Sequence, residues 1–71
     1  MDINEIIDKI KDILSNELDN KRVFDKDVAA ALNLSKQSLS ILKKKNSIPY
    51  EEIAKFCAIR KISINWVLFD Q

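Results

Sequence analysis

Residues 25–44 read "DKDVAAALNLSKQSLSILKK", and the spacing of their apolar residues indicates the fold. Its apolar residues do not follow a single helical stripe, and they do not alternate as they would in a half-buried strand. They fall instead into two separate stripes, Val28, Ala29 and Leu32, followed by Leu39 and Leu42. The pattern therefore predicts two short helices that cross at a steep angle, with a tight turn between them.

The residues between the two stripes suit such a turn. The chain contains no glycine, so Asn33 is the best available residue for a left-handed position after the first helix. Leu34 can then fill the angle between the helices, and Ser35 can cap the second one. At the other end, Asp25 is predicted to cap the first helix, with Phe24 packing before it as a hydrophobic staple.

The rest of the chain also has helical periodicity. An acidic amphipathic pattern opens the sequence, Pro49 suits the first turn of a later helix, and Ser63 can cap a final short one. We expect Cys57 and Trp66, which lie in apolar surroundings, to be core residues. The predicted fold is all-α, a compact bundle of about five short helices containing a helix-turn-helix. The helices lie near residues 2–18, 25–32, 36–45, 50–60 and 64–69 of a single domain spanning 1–71, with the helix-turn-helix core at 25–44.

Composition excludes several classes of function. The chain has 71 residues, of which 46% are hydrophobic and 32% charged, as in a small globular domain. It has no histidine, which excludes a His–Ser or His–Cys catalytic pair and argues against a zinc site. We therefore expect no enzyme, no catalytic residues, no metal and no cofactor.

The compartment follows from cysteine content and hydropathy. One cysteine cannot close a disulfide within the chain, which favours the reducing cytoplasm. The sequence shows neither a signal-peptide pattern nor an apolar run long enough for a membrane span. We expect a cytoplasmic protein without membrane contact.

Charge is distributed unevenly along the chain. Residues 1–20 carry six acids and two bases, for −4, and residues 21–45 carry seven bases and two acids, for +5. Residues 46–71 carry three of each and are neutral. A basic middle segment in a chain of net charge +1 suggests an anionic partner for that segment.

Residues 28–70 read "VAAALNLSKQSLSILKKKNSIPYEEIAKFCAIRKISINWVLFD". Residues 25–44 look like the helix-turn-helix of lambda-repressor-like domains. The longer stretch, roughly residues 23–70, resembles the phage CI repressor family in its helix, turn and recognition helix, its "SIPYEE" entry and its terminal "SINWVL". Three positions depart from the family pattern. Asn33 replaces the usual turn glycine, Ile41-Leu42 replaces a common Asn-Trp pair, and Asp70 stands where a glycine often closes the domain.

The resemblance implies a repressor that occupies a double-stranded DNA operator, on the nucleoid of a bacterial or phage-infected cell. CI-type repressors generally carry a C-terminal dimerisation region. The resemblance allows a homodimer that forms through a C-terminal region absent from this chain. Whether the chain is a fragment of a longer repressor or a stand-alone regulator stays open.

Helical geometry separates the inner and outer faces of the recognition helix, residues 36–44. Leu39 and Leu42 point inward, and the opposite face suits a major groove. Gln37 can pair with adenine, Ser40 can bond either kind of base edge, and Ile41 can contact a thymine methyl. For Ile41, contact with another subunit or with the core is an equal alternative. The base-reading candidates are Lys36, Gln37, Ser40, Ile41 and Lys44.

The remaining basic residues suit the DNA backbone, because lysines that neutralise phosphates release counterions. Ser35 and the free amides at the recognition-helix start could bind a phosphate as well. The phosphate-contact candidates are Lys26, Ser35, Lys43 and Lys45. The alternative function is a small helical protein–protein interaction module without DNA binding, in which Ile41 and its neighbours dock a partner helix.

Overall fold

The computed structural model of the protein describes residues 2–19 and 21–69. These residues form helices and contain no strand, which confirms the all-α prediction. The helices are α1 Ile3–Glu17, α2 Asp25–Ala31, α3 Lys36–Lys45, α4 Tyr50–Arg60 and α5 Ile64–Phe69. The predicted bounds were one residue too long at each end of α1 and at the end of α2, and they match for the other three helices.

One hydrophobic core joins all five helices. Its largest contribution comes from the apolar stripe of α1, where Asp2 caps the helix by accepting a 2.8 Å hydrogen bond from the Asn4 N–H. Each fully buried Val, Leu, Ile or Phe side chain contributes about 1.5–3 kcal/mol to folding. The buried residues are Ile3, Ile6, Ile7, Ile10, Leu14, Val28, Ala29, Leu32, Leu39, Ile53, Phe56, Cys57 and Val67.

The helix-turn-helix forms as its two apolar stripes predict. Val28, Ala29 and Leu32 of the first stripe are buried, as is Leu39 of the second. Leu34 and Leu42 are partly buried against the same core. Since Ala29 adds little bulk on the inner side of α2, the neighbouring helix can approach it closely.

Helices α2, α3 and α4 end in the same left-handed turn with the same pair of backbone hydrogen bonds. Asn33 has φ 59°, and its N–H and that of Leu34 donate back to the carbonyls of Ala30 and Ala29, at 3.1 and 2.8 Å. This is the Schellman pattern, in which the two bonds satisfy the last carbonyls of the helix. The left-handed turn predicted at Asn33 is confirmed. Asn46 and Lys61 take the corresponding positions after α3 and α4, with φ 50° and 56°.

The predicted cap of α2 was wrong. Phe24 occupies the cap position, and Asp25 is the first helical residue. Asp27 satisfies the cap instead, because its Oδ2 accepts a hydrogen bond of 2.9 Å from the Phe24 N–H. The Asp25 carboxylate is directed to lysines on two other helices. Pro49 likewise occupies the cap position of α4, one residue before its first turn.

Helix α1 is tied to the later helices by polar contacts as well as by the core. The Ile3 N–H donates to Asn46 Oδ1 at 2.9 Å, and Arg60 Nε lies 2.6 Å from Glu17 Oε1. Lys9 Nζ donates to the Trp66 carbonyl at 3.1 Å. These contacts lie near both ends and the middle of α1, so α1 holds the helix-turn-helix and the C-terminal helices together.

The structure gives different outcomes for the two predicted core residues near the C-terminus. Cys57 is buried, as predicted, and burial raises the pKa of its thiol. Trp66 is 38% exposed, so its predicted place in the core was wrong. Val67, the next residue, takes the fully buried position of α5. The departure at Asp70 lies outside the described residues.

Candidate nucleic-acid interface

The outer face of α3 carries all five predicted base-reading side chains. Leu39, on the opposite side of the same helix, is only 1% exposed and anchors α3 to the core. Because the inner side is fixed by packing, the direction of the outer side chains is fixed as well. All five are exposed, namely Lys36, Gln37, Ser40, Ile41 and Lys44, and so are Ser38 and Lys45 of the same helix.

The start of α3 is capped by Ser35. Its Oγ accepts a hydrogen bond of 3.0 Å from the Ser38 N–H and lies 2.9 Å from the Ser38 Oγ. The predicted cap is therefore confirmed. Ser35 is exposed, and phosphate contact from its hydroxyl would have to share this capping geometry. The amides of Lys36 and Gln37 lie in the first turn, where a helix offers its N–H groups no internal acceptor.

The side chain of Lys43, unlike those of Lys44 and Lys45, is held by an ion pair. Its ammonium lies 2.8 Å from Asp25 Oδ2, and Lys11 lies 2.8 Å from Asp25 Oδ1. The hydrogen bond from Lys11, followed by that from Lys43, lowers the pKa of the Asp25 carboxyl to about 2. One carboxylate therefore connects α1, α2 and α3 and holds two of the lysines on this side of the molecule.

The other predicted phosphate contacts are open to solvent. Lys44 and Lys45 are exposed in the last turn of α3, where positive charge also interacts favourably with the helix dipole. Lys26 is exposed on α2, with its Nζ 5.8 Å from the centre of the Phe24 ring. Within residues 2–19 and 21–69, these three lysines form no ion pair.

An open basic cleft lies beside the start of α3. It has a volume of about 540 Å³ and reaches from α1 across the loop before α2 to the first residue of α3. The exposed Phe24 ring forms part of its wall, with the Arg22 guanidinium 5.1 Å from the ring centre. Four cationic side chains and one carboxylate line it among the described residues, namely Lys11, Arg22, Lys26, Lys36 and Asp25.

Sequence reasoning missed Lys11 and Arg22 as members of this surface. The charge imbalance of residues 21–45 included Arg22, but no motif singled it out. Lys11 lies in the acidic first block of the sequence, and only the packing of α1 against α2 brings it beside the basic residues. Its 2.8 Å contact with Asp25 shows that placement.

The model of the bacteriophage CI repressor helix-turn-helix domain matches residues 21–71. The chain belongs to this family. No curated protein and no solved structure gave a significant match. The match includes α2 and α3 and every predicted contact residue, while Lys11 lies before it. The family is of a DNA-binding, non-enzymatic kind, and the helix-turn-helix described above agrees with that.

In this CI-family domain, an apolar groove borders the outer face of α3. It has a volume of about 370 Å³, and Ile41, which is 51% exposed, forms part of its wall. That exposure excludes the core role considered for Ile41. The other lining residues are Leu34, Ser38, Leu42, Pro49 and Glu52.

In the part of the chain that the structure describes, no three His, Cys, Asp or Glu side chains group in a way that could hold a metal ion. Within residues 2–19 and 21–69, no helix has both the length and the apolar composition needed to cross a bilayer.

Proposed function

We propose that this domain binds double-stranded DNA sequence-specifically and represses transcription by occupying an operator, with α3 in the major groove. The observation that carries the proposal is the direction of α3. Its inner side is anchored through Leu39, while Gln37, Ser40 and Lys44 project together from the exposed side. An α-helix fits the major groove of B-DNA, where each base pair presents a distinct pattern of donors and acceptors.

The outer face and its edges carry two kinds of residue, those suited to base contacts and those suited to phosphate contacts. Gln37 is suited to adenine, Lys36 and Lys44 to the O6 and N7 of guanine, and Ile41 to a thymine methyl. Lys26 and Lys45 flank this face and are suited to phosphate, with Ser35 at the start of α3. The basic cleft extends the phosphate-contact surface toward Arg22, because both Arg22 and Lys36 line it.

Selection of duplexes from a random pool tests the proposal. Selected sequences should share a short motif, and the affinity for a scrambled duplex should be far lower. A linear fall of log affinity with log salt, with a slope of about −0.9 for each phosphate contacted, should accompany binding. A pool that yields no motif, with no duplex bound at low salt, would contradict the proposal.

The symmetry of the selected motif tests the assembly. A two-fold symmetric motif with half-sites about one helical turn apart would indicate that two copies bind together, as a homodimer does. A single asymmetric half-site would indicate that one copy binds alone.

The apolar groove beside Ile41 favours a second candidate, docking of a partner helix. Ile41 and Leu42 lie in its wall on successive positions of α3, and Pro49 closes one side. Burial of apolar surface depends little on salt, whereas phosphate contacts weaken steeply as salt rises. The salt slope therefore separates the two functions. Ile41→Ser leaves the charge unchanged, so it should abolish docking of a partner helix but leave the salt slope of DNA binding unchanged.

A further inference from the structure

Asp25 is an acid on a surface that is otherwise basic. It lines the cleft together with Lys11, Arg22, Lys26 and Lys36, and its side chain is 36% exposed. It is not needed as the helix cap, since Asp27 takes the hydrogen bond from the Phe24 N–H. Its carboxylate oxygens are each 2.8 Å from a different ammonium, that of Lys11 and that of Lys43.

This arrangement resembles the one a phosphate would make in the same place. A carboxylate and a phosphate oxygen both accept charge-assisted hydrogen bonds from ammonium groups at 2.7–2.9 Å. Asp25 therefore satisfies two lysines that would otherwise be available to the backbone of DNA. It also places a fixed negative charge within the cleft, which repels a nearby phosphate over a distance of about 8–10 Å at ordinary salt.

We propose that Asp25 acts as a built-in competitor of DNA phosphate, which withholds Lys11 and Lys43 and so limits binding to duplexes of any sequence. This inference rests on the proposed DNA-binding function and deepens it. Contacts to phosphate carry no sequence information directly. An acid that suppresses them lowers the affinity for all DNA while leaving the base contacts of Gln37 and Ser40 unchanged, so a larger share of the binding energy depends on sequence.

The test compares Asp25→Asn with Asp27→Asn in the full chain. Both variants remove one negative charge from the first turn of α2 and keep an oxygen acceptor. Only Asp25→Asn releases lysines, because no ion pair involves Asp27 among the described residues. Binding to the selected duplex and to its scrambled version is measured across a salt series, with thermal melts to identify conditions in which each variant is folded.

The expected result is a gain in affinity for both duplexes with Asp25→Asn. The gain should be about fivefold for each lysine that reaches a phosphate, as for two unit charges about 4 Å apart in water. The salt slope should become steeper by about 0.9 for each such lysine. Asp27→Asn should leave the slope unchanged. Adding Lys11→Ala to Asp25→Asn should remove about 0.9 of the steeper slope again.

Two further variants make the outcome independent of one substitution. Asp25→Ser, a second neutral residue suited to the start of a helix, should repeat the effect even where Asp25→Asn folds poorly. Asp25→Glu, which keeps the charge, should retain the native slope. Equal slopes for Asp25→Asn and Asp27→Asn would overturn the inference while leaving DNA binding intact. An unmodified chain that binds no duplex would overturn both the inference and the proposed function.

Discussion

The two sides of α3 differ in whether the protein itself already engages their side chains. On the inner side, Leu39 is buried, and at the edge of that side the partly exposed Lys43 is bonded to Asp25. On the outer side, Gln37, Ser40 and Lys44 are exposed and make no side-chain hydrogen bond or ion pair within the described residues. One helix therefore carries a core anchor on one side and the proposed contact residues on the other. Substitutions on one side should change stability, and substitutions on the other should change binding.

The largest effect is expected from Leu39. Leu39→Ala should destabilise the domain by about 2–5 kcal/mol, because it removes packed apolar contacts and leaves a cavity at the centre of the helix-turn-helix. Urea or thermal unfolding measures the loss. Ser40→Ala, the adjacent change on the outer side, should alter stability by less than about 0.5 kcal/mol. Similar losses for the two variants would show that the two sides of α3 are not separate.

Gln37 tests the outer side in the opposite way. Gln37→Ala should weaken binding to the preferred duplex by about 1–3 kcal/mol and relax the preference at one base pair, because a paired base contact is lost. Its melting temperature should match that of the unmodified domain. Binding to the scrambled duplex should be nearly unchanged. If both duplexes lose affinity equally, Gln37 contacts the backbone and the assigned orientation of α3 in the groove is wrong.

The turn at Asn33 sets the angle at which α3 leaves α2. Asn33→Gly should be neutral or mildly stabilising, since glycine adopts a φ of 59° without a side-chain clash. Asn33→Val should lose about 1–2 kcal/mol, because a β-branched residue is strained in the left-handed region. Equal unfolding free energies for the two variants would contradict this account of the turn.

Local signals in the sequence were sufficient for the helices and the turn. The change of apolar stripe between Leu32 and Leu39 predicted the helix-turn-helix, and the lack of glycine made Asn33 the predicted left-handed residue. Ser35, directly before the second helix, predicted the cap of α3 in the same way. Each of these features depends on residues within a few positions of one another, where propensity and spacing are informative.

The parts that the sequence did not predict depend on distant residues. Asp25 looked like a helix cap because its sequence neighbours allowed it, but its carboxylate is held by Lys11 and Lys43, which lie on other helices. The basic cleft includes Lys11 for the same reason. Trp66 was expected inside because its segment is apolar, yet Val67 faces inward and Trp66 lies beside Lys9, with the Lys9 ammonium 5.7 Å from the ring centre. Helix rotation and packing decide such contacts, and a six-residue helix gives little periodicity from which to judge them.

The smallest expected effects separate two lysines that are close together in sequence. Lys43→Ala removes one ion pair of Asp25, at a position where the partners are about one-third exposed. Solvent screening limits the loss of stability to about 0.2–1 kcal/mol. The salt slope for DNA should change little, because the Lys43 ammonium is already engaged by Asp25.

Lys45→Ala should have the opposite effects. Stability should stay within about 0.5 kcal/mol, and the salt slope should fall by about 0.9, because Lys45 is exposed and unpaired in the described structure. Thermal melts and a salt series on a single scrambled duplex measure both quantities. If Lys43→Ala reduces the slope as much as Lys45→Ala, the ammonium of Lys43 leaves Asp25 for phosphate when DNA binds, and the inner side of α3 contributes to the grip after all.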